Sequence, residues 1–188
     1  MDVGYTEPRL QPKHHHQPFW CEENIWHLAQ DPGTAGDQRF VVAITGAGAQ
    51  VACWQQKAGV AGAPILWDYH VVLAVHSDGW RIWDLDGRLG CPIAARDWLS
   101  ATFPYPQRVP ARFQPRFGLI PADEYVQTFG SDRAHMRAAG GTWQQPPPPW
   151  PAITGQGMTL KDVITRAREG LDLAAVTERW AAGPRAER

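Results

Sequence analysis

The chain has 188 residues, of which 44% are hydrophobic and 20% are charged, and its formal net charge is -1. This composition is typical of a globular protein, and a near-neutral chain without a long basic run gives no reason to expect nucleic acid as a partner. No stretch reaches the roughly 20 apolar residues of a membrane span, and the N-terminus lacks the apolar core of a signal peptide, so we expect no membrane partner and a cytoplasmic location. We expect a flexible arm over residues 1–18 and a single catalytic domain over residues 19–183.

The first predicted element is a helix over residues 21–30, because the Asp-Pro-Gly sequence at residues 31–33 is typical of a helix end. Cys21 is placed at the N-cap, where Trp20 and Ile25 can close over it as a hydrophobic staple. The sequence therefore places a thiol at the positive end of a helix dipole, a position that favours the thiolate.

Two β-hairpins follow, each made of short β-branched segments around a turn. Their strands are residues 39–44 with 50–55, and a strand within residues 65–75 with residues 80–85. If residues 77–79 form a three-residue loop, His70 and Asp84 become diagonal neighbours on one face of the sheet, close enough to hydrogen-bond. A two-residue loop would put them on opposite faces.

The second half of the chain is predicted to contain four helices and one further strand. Helices are expected over residues 93–102, 121–128, 159–168 and 171–182, with a strand within residues 112–120 that Pro115 interrupts. A polar loop is expected at residues 130–136, and an extended surface segment at the proline-rich residues 146–151. The expected fold class is α/β (α+β), with a mainly antiparallel central sheet flanked by helices.

The three cysteines are Cys21, Cys53 and Cys91, and no two of them form a CxxC pair. Their spacing indicates neither a disulfide framework nor a zinc knuckle, and we interpret Cys53 and Cys91 as core residues. The three histidines at residues 14–16 could bind a metal, but within a segment rich in proline and glutamine a flexible lead-in is the favoured interpretation. We expect no metal and no organic cofactor.

Cys21, His70 and Asp84 follow one another in the order of thiol, imidazole and carboxylate that suits a thiol-based acyl-transfer enzyme. His70 would take the thiol proton and later protonate the leaving group, while Asp84 would fix the tautomer of the ring. Asp68 and Asp86 are alternatives to Asp84 that the spacing barely separates from it. The noncatalytic alternative is an ordinary strand histidine and a cysteine that only caps its helix.

Glu22 and Glu23 follow the thiol directly. Their negative charge would raise the pKa of the Cys21 thiol if they faced it. We therefore expect both carboxylates to point away, and His70 to be the group that decides the thiol's reactivity.

Six segments, in order from Cys21 to about residue 165, resemble the protein N-terminal glutamine amidohydrolase family. They are Cys21-Glu22-Glu23-Asn24-Ile25-Trp26, Trp54-Gln55-Gln56, Trp67-Asp68-Tyr69-His70-Val71-Val72-Leu73, Asp84-Leu85-Asp86, Ser131-Asp132-Arg133-Ala134-His135-Met136 and Pro146-Pro147-Pro148-Pro149-Trp150-Pro151. The resemblance implies a papain-like or transglutaminase-like cysteine hydrolase fold with Cys21 as nucleophile, His70 as base and Asp84, rather than Asp86, as the orienting carboxylate. It also implies the reaction, in which an N-terminal Gln is deamidated to Glu through a thioester, with release of ammonia.

Recognition of a terminal Gln requires acceptors for its charged α-amino group and donors for the oxyanion. Asp132 or Glu22 is the candidate for the ammonium group, and Gln55 or a backbone N–H near Cys21 is the candidate for the oxyanion. The alternative for Asp132 is a local ion pair with Arg133.

The expected partners are therefore proteins or peptides that begin with Gln, and the chain is expected to act as a monomer. In eukaryotes, the acidic terminus that the resembled family produces feeds a degradation signal, or N-degron.

A cysteine peptidase or a transglutaminase-like acyltransferase of the same fold is the first alternative function. The second is a noncatalytic module that keeps a peptide-binding groove.

Overall fold

A computed structural model describes residues 14–182 of the chain. Residues 1–13, which form most of the predicted arm, and residues 183–188 lie outside the described residues. The elements in chain order are α1 (Cys21–Leu28), β1 (Gln38–Gly46), β2 (Val51–Cys53), β3 (Ile65–Trp67), β4 (His70–His76), β5 (Trp80–Trp83), β6 (Ile93–Ala94), α2 (Ala95–Thr102), β7 (Pro115–Pro121), α3 (Ala122–Thr128), α4 (Leu160–Glu169), β8 (Leu171–Asp172) and α5 (Leu173–Ala181).

Six of the strands form one sheet in the order β6-β5-β4-β1-β7-β8, and all of its neighbouring strands are antiparallel. Helices cover both faces of this sheet. The predicted fold class, a mixed α/β fold with a mainly antiparallel central sheet, is confirmed.

The side chains of β4 alternate between two hydrophobic cores, as the pleat of a strand requires. Val71, Leu73 and Val75 join the core beneath α1, α3 and α4, whereas Val72 and Ala74 join the core beneath α2 and α5. Because both faces are covered, every residue of β4 is buried. The strand is therefore a rigid support for its first residue, which lies at the candidate site.

Helix α4 packs closely on β7 because Gly118 leaves room for it. A Cβ atom at this position would come within 2.6 Å of the backbone nitrogen of Ala167. The helix begins with a capping box, in which Thr159 and Asp162 hydrogen-bond to each other's backbone nitrogens. These contacts fix the position of the helix that borders the candidate site.

The first predicted hairpin is wrong. Strand β1 pairs with β4 and β7, and β2 pairs with β3 in a separate two-stranded sheet. The turn after β1 is present, with Ala49 donating to the Gly46 carbonyl, but the chain then leaves the main sheet. A local turn signal does not determine the distant partners of a strand. The apolar run at residues 65–75, within which one strand is predicted, contains β3 and most of β4, which belong to different sheets.

The second predicted hairpin is confirmed, including its register. His76 lies opposite Trp80 and Leu73 lies opposite Trp83, which leaves residues 77–79 as a three-residue loop. Gly79 has a φ of 152° in this loop, a conformation that residues with a side chain rarely adopt. This register places residues 70 and 84 on the same face of the sheet, as the three-residue loop predicted.

Several predicted boundaries need correction. Trp20 is the N-cap of α1 and Cys21 its first helical residue, so the predicted cap and staple are displaced by one position. Pro115 begins β7 instead of interrupting a strand, because the first residue of a strand tolerates the missing N–H. Helices α2 and α5 are each preceded by a two-residue strand, β6 and β8, where the pattern predicted continuous helix.

Candidate active site

The first turn of α1 and the start of β4 meet at a cavity of about 370 Å³. Cys21 and His70 both line this cavity, which we call the thiol cavity, together with Tyr69 and Asp86. Cys21 is 7% exposed and His70 is 2% exposed. The thiol and the imidazole are therefore both mostly buried, and both border the same cavity.

Contacts behind α1 hold the thiol in position. Tyr125, which is buried in α3, donates a 3.1 Å hydrogen bond to the backbone carbonyl of Glu22. The indole of Trp26 donates to the carbonyl of Val126, also in α3, at 3.1 Å. These bonds anchor both ends of the helix to α3.

His70 is held by Asp84, with 3.0 Å between Nε2 of the ring and Oδ1 of the carboxylate. Oδ2 of Asp84 accepts hydrogen bonds from Gln56 Nε2 and from Trp98 Nε1, each at 3.0 Å, and Oδ1 also accepts from the backbone N–H of Asp86 at 3.2 Å. Both oxygens of this buried carboxylate are thus satisfied, which fixes the orientation of the imidazole.

The electrostatics of this pair favour a charged carboxylate beside a basic ring. Burial by itself would lower the pKa of His70, but the charge and hydrogen bond of Asp84 outweigh it and raise the pKa above its ordinary value. Burial would likewise raise the pKa of Asp84, but His70 together with the Gln56 and Trp98 donors lowers it to about 2. Asp84 is therefore ionised at neutral pH.

The thiol is in an environment that favours its neutral form. Burial, followed by the negative charges of Glu22 and Asp86, raises the pKa of Cys21 well above its ordinary value, although a hydrogen bond from the Val71 backbone acts in the opposite direction. The helix N-terminus, which the sequence suggested would favour a thiolate, does not outweigh these effects.

The expectation that Glu22 points away from the thiol is wrong. The carboxylate is fully buried, and Cys21 Sγ donates a long hydrogen bond of 3.8 Å to its Oε2. Tyr69 donates to the same oxygen at 2.9 Å, while His135 Nε2 lies 3.4 Å from Oε1 without hydrogen-bond geometry. Oε1 therefore has no hydrogen-bond partner within residues 14–182. The sequence missed this orientation because it depends on Tyr69 and His135, which come from distant segments.

Glu23 does point away, as expected. Its two oxygens accept from Arg133 at 2.8 and 2.7 Å, and Trp150 Nε1 donates to Oε2 at 2.9 Å. Arg133 therefore pairs with Glu23 and not with Asp132, the alternative that the sequence suggested. This buried pair ties the polar loop and the proline-rich segment to α1.

The sequence of this chain is similar to proteins of one known family. A family model described as N-terminal glutamine amidase matches residues 16–179. The chain belongs to the N-terminal glutamine amidase family. A protein from Homo sapiens named "Protein N-terminal glutamine amidohydrolase" is 36% identical over 154 residues, which cover 78% of this chain and 75% of the relative. The relative of the same name from Arabidopsis thaliana is 34% identical over 159 residues, which cover 79% and 72%. The predicted family is confirmed.

None of the three predicted substrate-binding residues lines the thiol cavity of this member of the N-terminal glutamine amidase family. Glu22 is buried against residues that do line it, whereas Gln55 and Asp132 lie elsewhere. Gln55 does not line the thiol cavity, and its backbone has a φ of 57°. The adjacent residue Gln56, which the sequence does not indicate as a site residue, donates a hydrogen bond to Asp84. Asp132 is exposed, accepts from the backbone N–H of Ala134 at 2.9 Å and lines a second cavity.

The three histidines at the N-terminal end of the described chain each contact the body of the protein. His14 lies 3.2 Å from an Asp31 oxygen, His15 stacks on His27 with ring centroids 4.2 Å apart, and His16 Nε2 lies 2.9 Å from Asp86 Oδ1. Across residues 14–182, no cluster of three or more potential ligands is arranged to hold a metal ion. None of the helices in that range is long and apolar enough to cross a membrane.

The other two cysteines have the structural positions that the sequence predicted. Cys53 is part of the core beneath α2 and α5, and Cys91 packs against the core beneath α1. Neither residue lines the thiol cavity. Burial raises the pKa of Cys91 to about 12, so its thiol is protonated at neutral pH.

Proposed function

We propose that this chain is a protein N-terminal glutamine amidohydrolase in which Cys21 is the nucleophile. The observation that carries the proposal is that Cys21 and His70 line one cavity while Asp84 holds His70 from behind at 3.0 Å. Support for the substrate comes from the relatives of the same family, whose names state the activity. We further propose that the chain acts as a monomer, since every group invoked below comes from one chain, and that it acts in the cytoplasm, the location expected from the sequence.

The proposed reaction begins with transfer of the thiol proton to His70. Asp84 occupies Nε2 of the ring, so Nδ1 is the nitrogen that takes this proton. The thiolate of Cys21 attacks the side-chain carbonyl carbon of the terminal Gln, and the protonated ring gives its proton to the departing nitrogen. The carbon–nitrogen bond breaks, ammonia leaves and a thioester remains.

Hydrolysis of the thioester completes the cycle. His70, now neutral, takes a proton from water as its oxygen attacks the thioester carbonyl, and Cys21 leaves as a thiol after recovering the proton. Glu is the product, so the balance is Gln plus water giving Glu plus ammonia. Of the two candidates for the oxyanion donor, a backbone N–H near Cys21 is favoured over Gln55, because Gln55 does not line the thiol cavity.

Glu22 is the proposed binding group for the α-ammonium of the substrate. Glu22 is fully buried and does not itself line the thiol cavity, but its carboxylate contacts three residues that do, Cys21, Tyr69 and His135. Its Oε1 has no hydrogen-bond partner within residues 14–182. Asp132 is less suited to this role because it lines the neighbouring cavity. An ammonium beside Glu22 would offset the negative charge that raises the pKa of Cys21. Docking of a free N-terminus would therefore also promote thiolate formation.

Mass spectrometry with a panel of peptides tests the function. Peptides that begin with Gln, Asn or N-acetyl-Gln are incubated with the wild type, with Cys21→Ala and with Cys91→Ala, a matched control that changes a thiol outside the cavity. We expect conversion of amide to acid only for the free N-terminal Gln, and only with the wild type and the control. A shortened peptide would indicate a peptidase, a cross-linked amine a transglutaminase, and binding without turnover a noncatalytic module.

A further inference from the structure

A second cavity of about 760 Å³ adjoins the thiol cavity. His135, Leu160 and Ile164 line both cavities, so the two form one continuous groove beside α4. The rest of the second cavity is lined mainly by residues 130–132 and 153–158, which are joined by a backbone hydrogen bond from Ser131 to Ile153. The proposed reaction uses none of this outer part of the groove.

The outer groove carries two cations from one face of α4. Lys161 and Arg168, seven residues apart, line it together with Thr165 between them, and all three are exposed. Within the described residues neither cation has an ion-pair partner, whereas Arg166 of the same helix pairs with Glu124 at 2.6 Å. Two positive charges are therefore free to meet a ligand in this groove.

One carboxylate also lines the outer groove. Asp132 accepts a hydrogen bond from the Ala134 backbone and forms no ion pair with either cation. The outer groove is therefore lined by two positively charged side chains, Lys161 and Arg168, and by one negatively charged side chain, Asp132. The α4 side, where both cations lie, is the positive side of the groove.

We propose that the outer groove binds the substrate residues that follow the N-terminal Gln, an inference that rests on the function proposed above. Lys161 and Arg168 make the outer groove favour acidic side chains at these substrate positions. A peptide whose first residue occupies the thiol cavity continues most directly past the shared residues His135, Leu160 and Ile164. Seven residues of helix rise about 10 Å, and three residues of extended chain span about the same distance. The groove thus matches the second to fourth residues of a substrate.

Three peptides of equal length test this preference. All begin with Gln-Ala and continue with two Glu, two Ala or two Lys residues, followed by one common sequence. The specificity constant kcat/KM for ammonia release is measured at low and at high salt for the wild type, for the double variant Lys161→Gln/Arg168→Gln and for Arg96→Gln. Arg96 is an exposed cation on α2 that lines neither cavity and serves as the matched control.

The wild type and Arg96→Gln are expected to favour the acidic peptide over the neutral one by about fivefold at low salt, mainly through KM, since exposed ion pairs are weak and screened by salt. The preference should disappear in the double variant, and Lys161→Glu/Arg168→Glu should favour the lysine peptide. Equal kcat/KM for all three peptides with the wild type, or an unchanged preference in the double variant, would overturn the groove assignment and leave the proposed function intact. If none of the peptides released ammonia, both proposals would fall.

Discussion

Two buried carboxylates contact the candidate active site, Asp84 at His70 and Glu22 at Cys21, and their hydrogen bonding differs. Asp84 accepts from His70, from two other side chains and from one backbone N–H, so both of its oxygens are satisfied. Glu22 accepts from Tyr69 and from the thiol through one oxygen, and its Oε1 has no hydrogen-bond partner within residues 14–182. A carboxylate whose two oxygens both accept hydrogen bonds is suited to holding another side chain in place. Oε1 of Glu22 accepts no hydrogen bond within residues 14–182 and lies 3.4 Å from Nε2 of His135, so it is suited to binding a cation.

The two carboxylates also act differently on their neighbours. Asp84 raises the pKa of His70 and so favours its protonated form, whereas Glu22 contributes to the raised pKa of Cys21 and so favours the neutral thiol. The proposed site is therefore a well-oriented base beside a nucleophile that is held inactive until a positive charge arrives. If Asp84 positions the base and Glu22 binds the substrate ammonium, substitutions at Asp84 should lower kcat and substitutions at Glu22 should raise KM.

Asp84→Asn should have the largest effect of the substitutions at the two carboxylates. An amide removes the charge that keeps His70 basic and can impose the wrong tautomer, so kcat should fall by about 10³-fold or more with little change in KM. Steady-state kinetics of ammonia release check this result. Asp68→Asn is the control, because Asp68 lines the thiol cavity but hydrogen-bonds Gln50 instead of His70. A loss of less than tenfold in Asp84→Asn would contradict the positioning role.

Glu22→Gln should have the next largest effect. Loss of the buried charge should raise KM for a Gln-initiated peptide by about 10- to 100-fold, the range expected for a hydrogen bond to a charged group. Because the same charge raises the pKa of Cys21, the variant should also react faster with iodoacetamide in the absence of substrate. Asp97→Asn, which changes an exposed carboxylate on α2 that lines neither cavity, is the matched control and should change neither quantity. An unchanged KM and an unchanged alkylation rate in Glu22→Gln would remove Glu22 from the proposed mechanism.

Trp98→Phe should have a smaller effect, through Asp84. The substitution removes one donor to Oδ2 and should cost about 1–3 kcal/mol in the free energy of unfolding, with a moderate loss of kcat. Trp80→Phe is a matched control, because the indole nitrogen of Trp80 is also buried but has no hydrogen-bond partner within residues 14–182. Urea denaturation of both variants compares the two sites. Equal destabilisation would mean that the hydrogen bond to Asp84 contributes nothing beyond ring volume.

The pH dependence should show the smallest shifts. His70 must be neutral to accept the thiol proton, and Asp84 raises its pKa, so kcat/KM should fall as the pH drops through a value above the ordinary histidine pKa of about 6.5. If the substrate ammonium activates the thiol, kcat/KM should also fall above pH of about 8, where an α-amino group loses its proton. An acid limb below the ordinary histidine value would contradict the proposed pairing with Asp84.

The sequence predicted those parts of the structure that local chemistry determines. The turn residues 77–79 set the register between β4 and β5, and helix α1 could be recognised from the signals at its ends. The partners of β1 could not be predicted, because strand pairing across the sheet depends on which faces are covered by distant helices. For the same reason the sequence did not show that β2 would leave the main sheet.

At the candidate site, the sequence could nominate Cys21, His70 and Asp84 but not their surroundings. The carboxylate of Glu22 contacts Tyr69 and His135, which come from distant segments, and the side-chain amide that contacts Asp84 belongs to Gln56 instead of Gln55. Pattern and spacing describe single segments. The thiol cavity is lined by residues from at least four separate segments, and the packing that brings these segments together could not be predicted from the pattern of any one of them.

The most direct measurement is the rate of ammonia release from a Gln-initiated peptide by the wild type, Cys21→Ala and the control Cys91→Ala under identical conditions. The proposed mechanism predicts release by the wild type and the control, and a rate at least about 10³-fold lower for Cys21→Ala. Release by Cys21→Ala at the wild-type rate, or no release by the wild type, would contradict it.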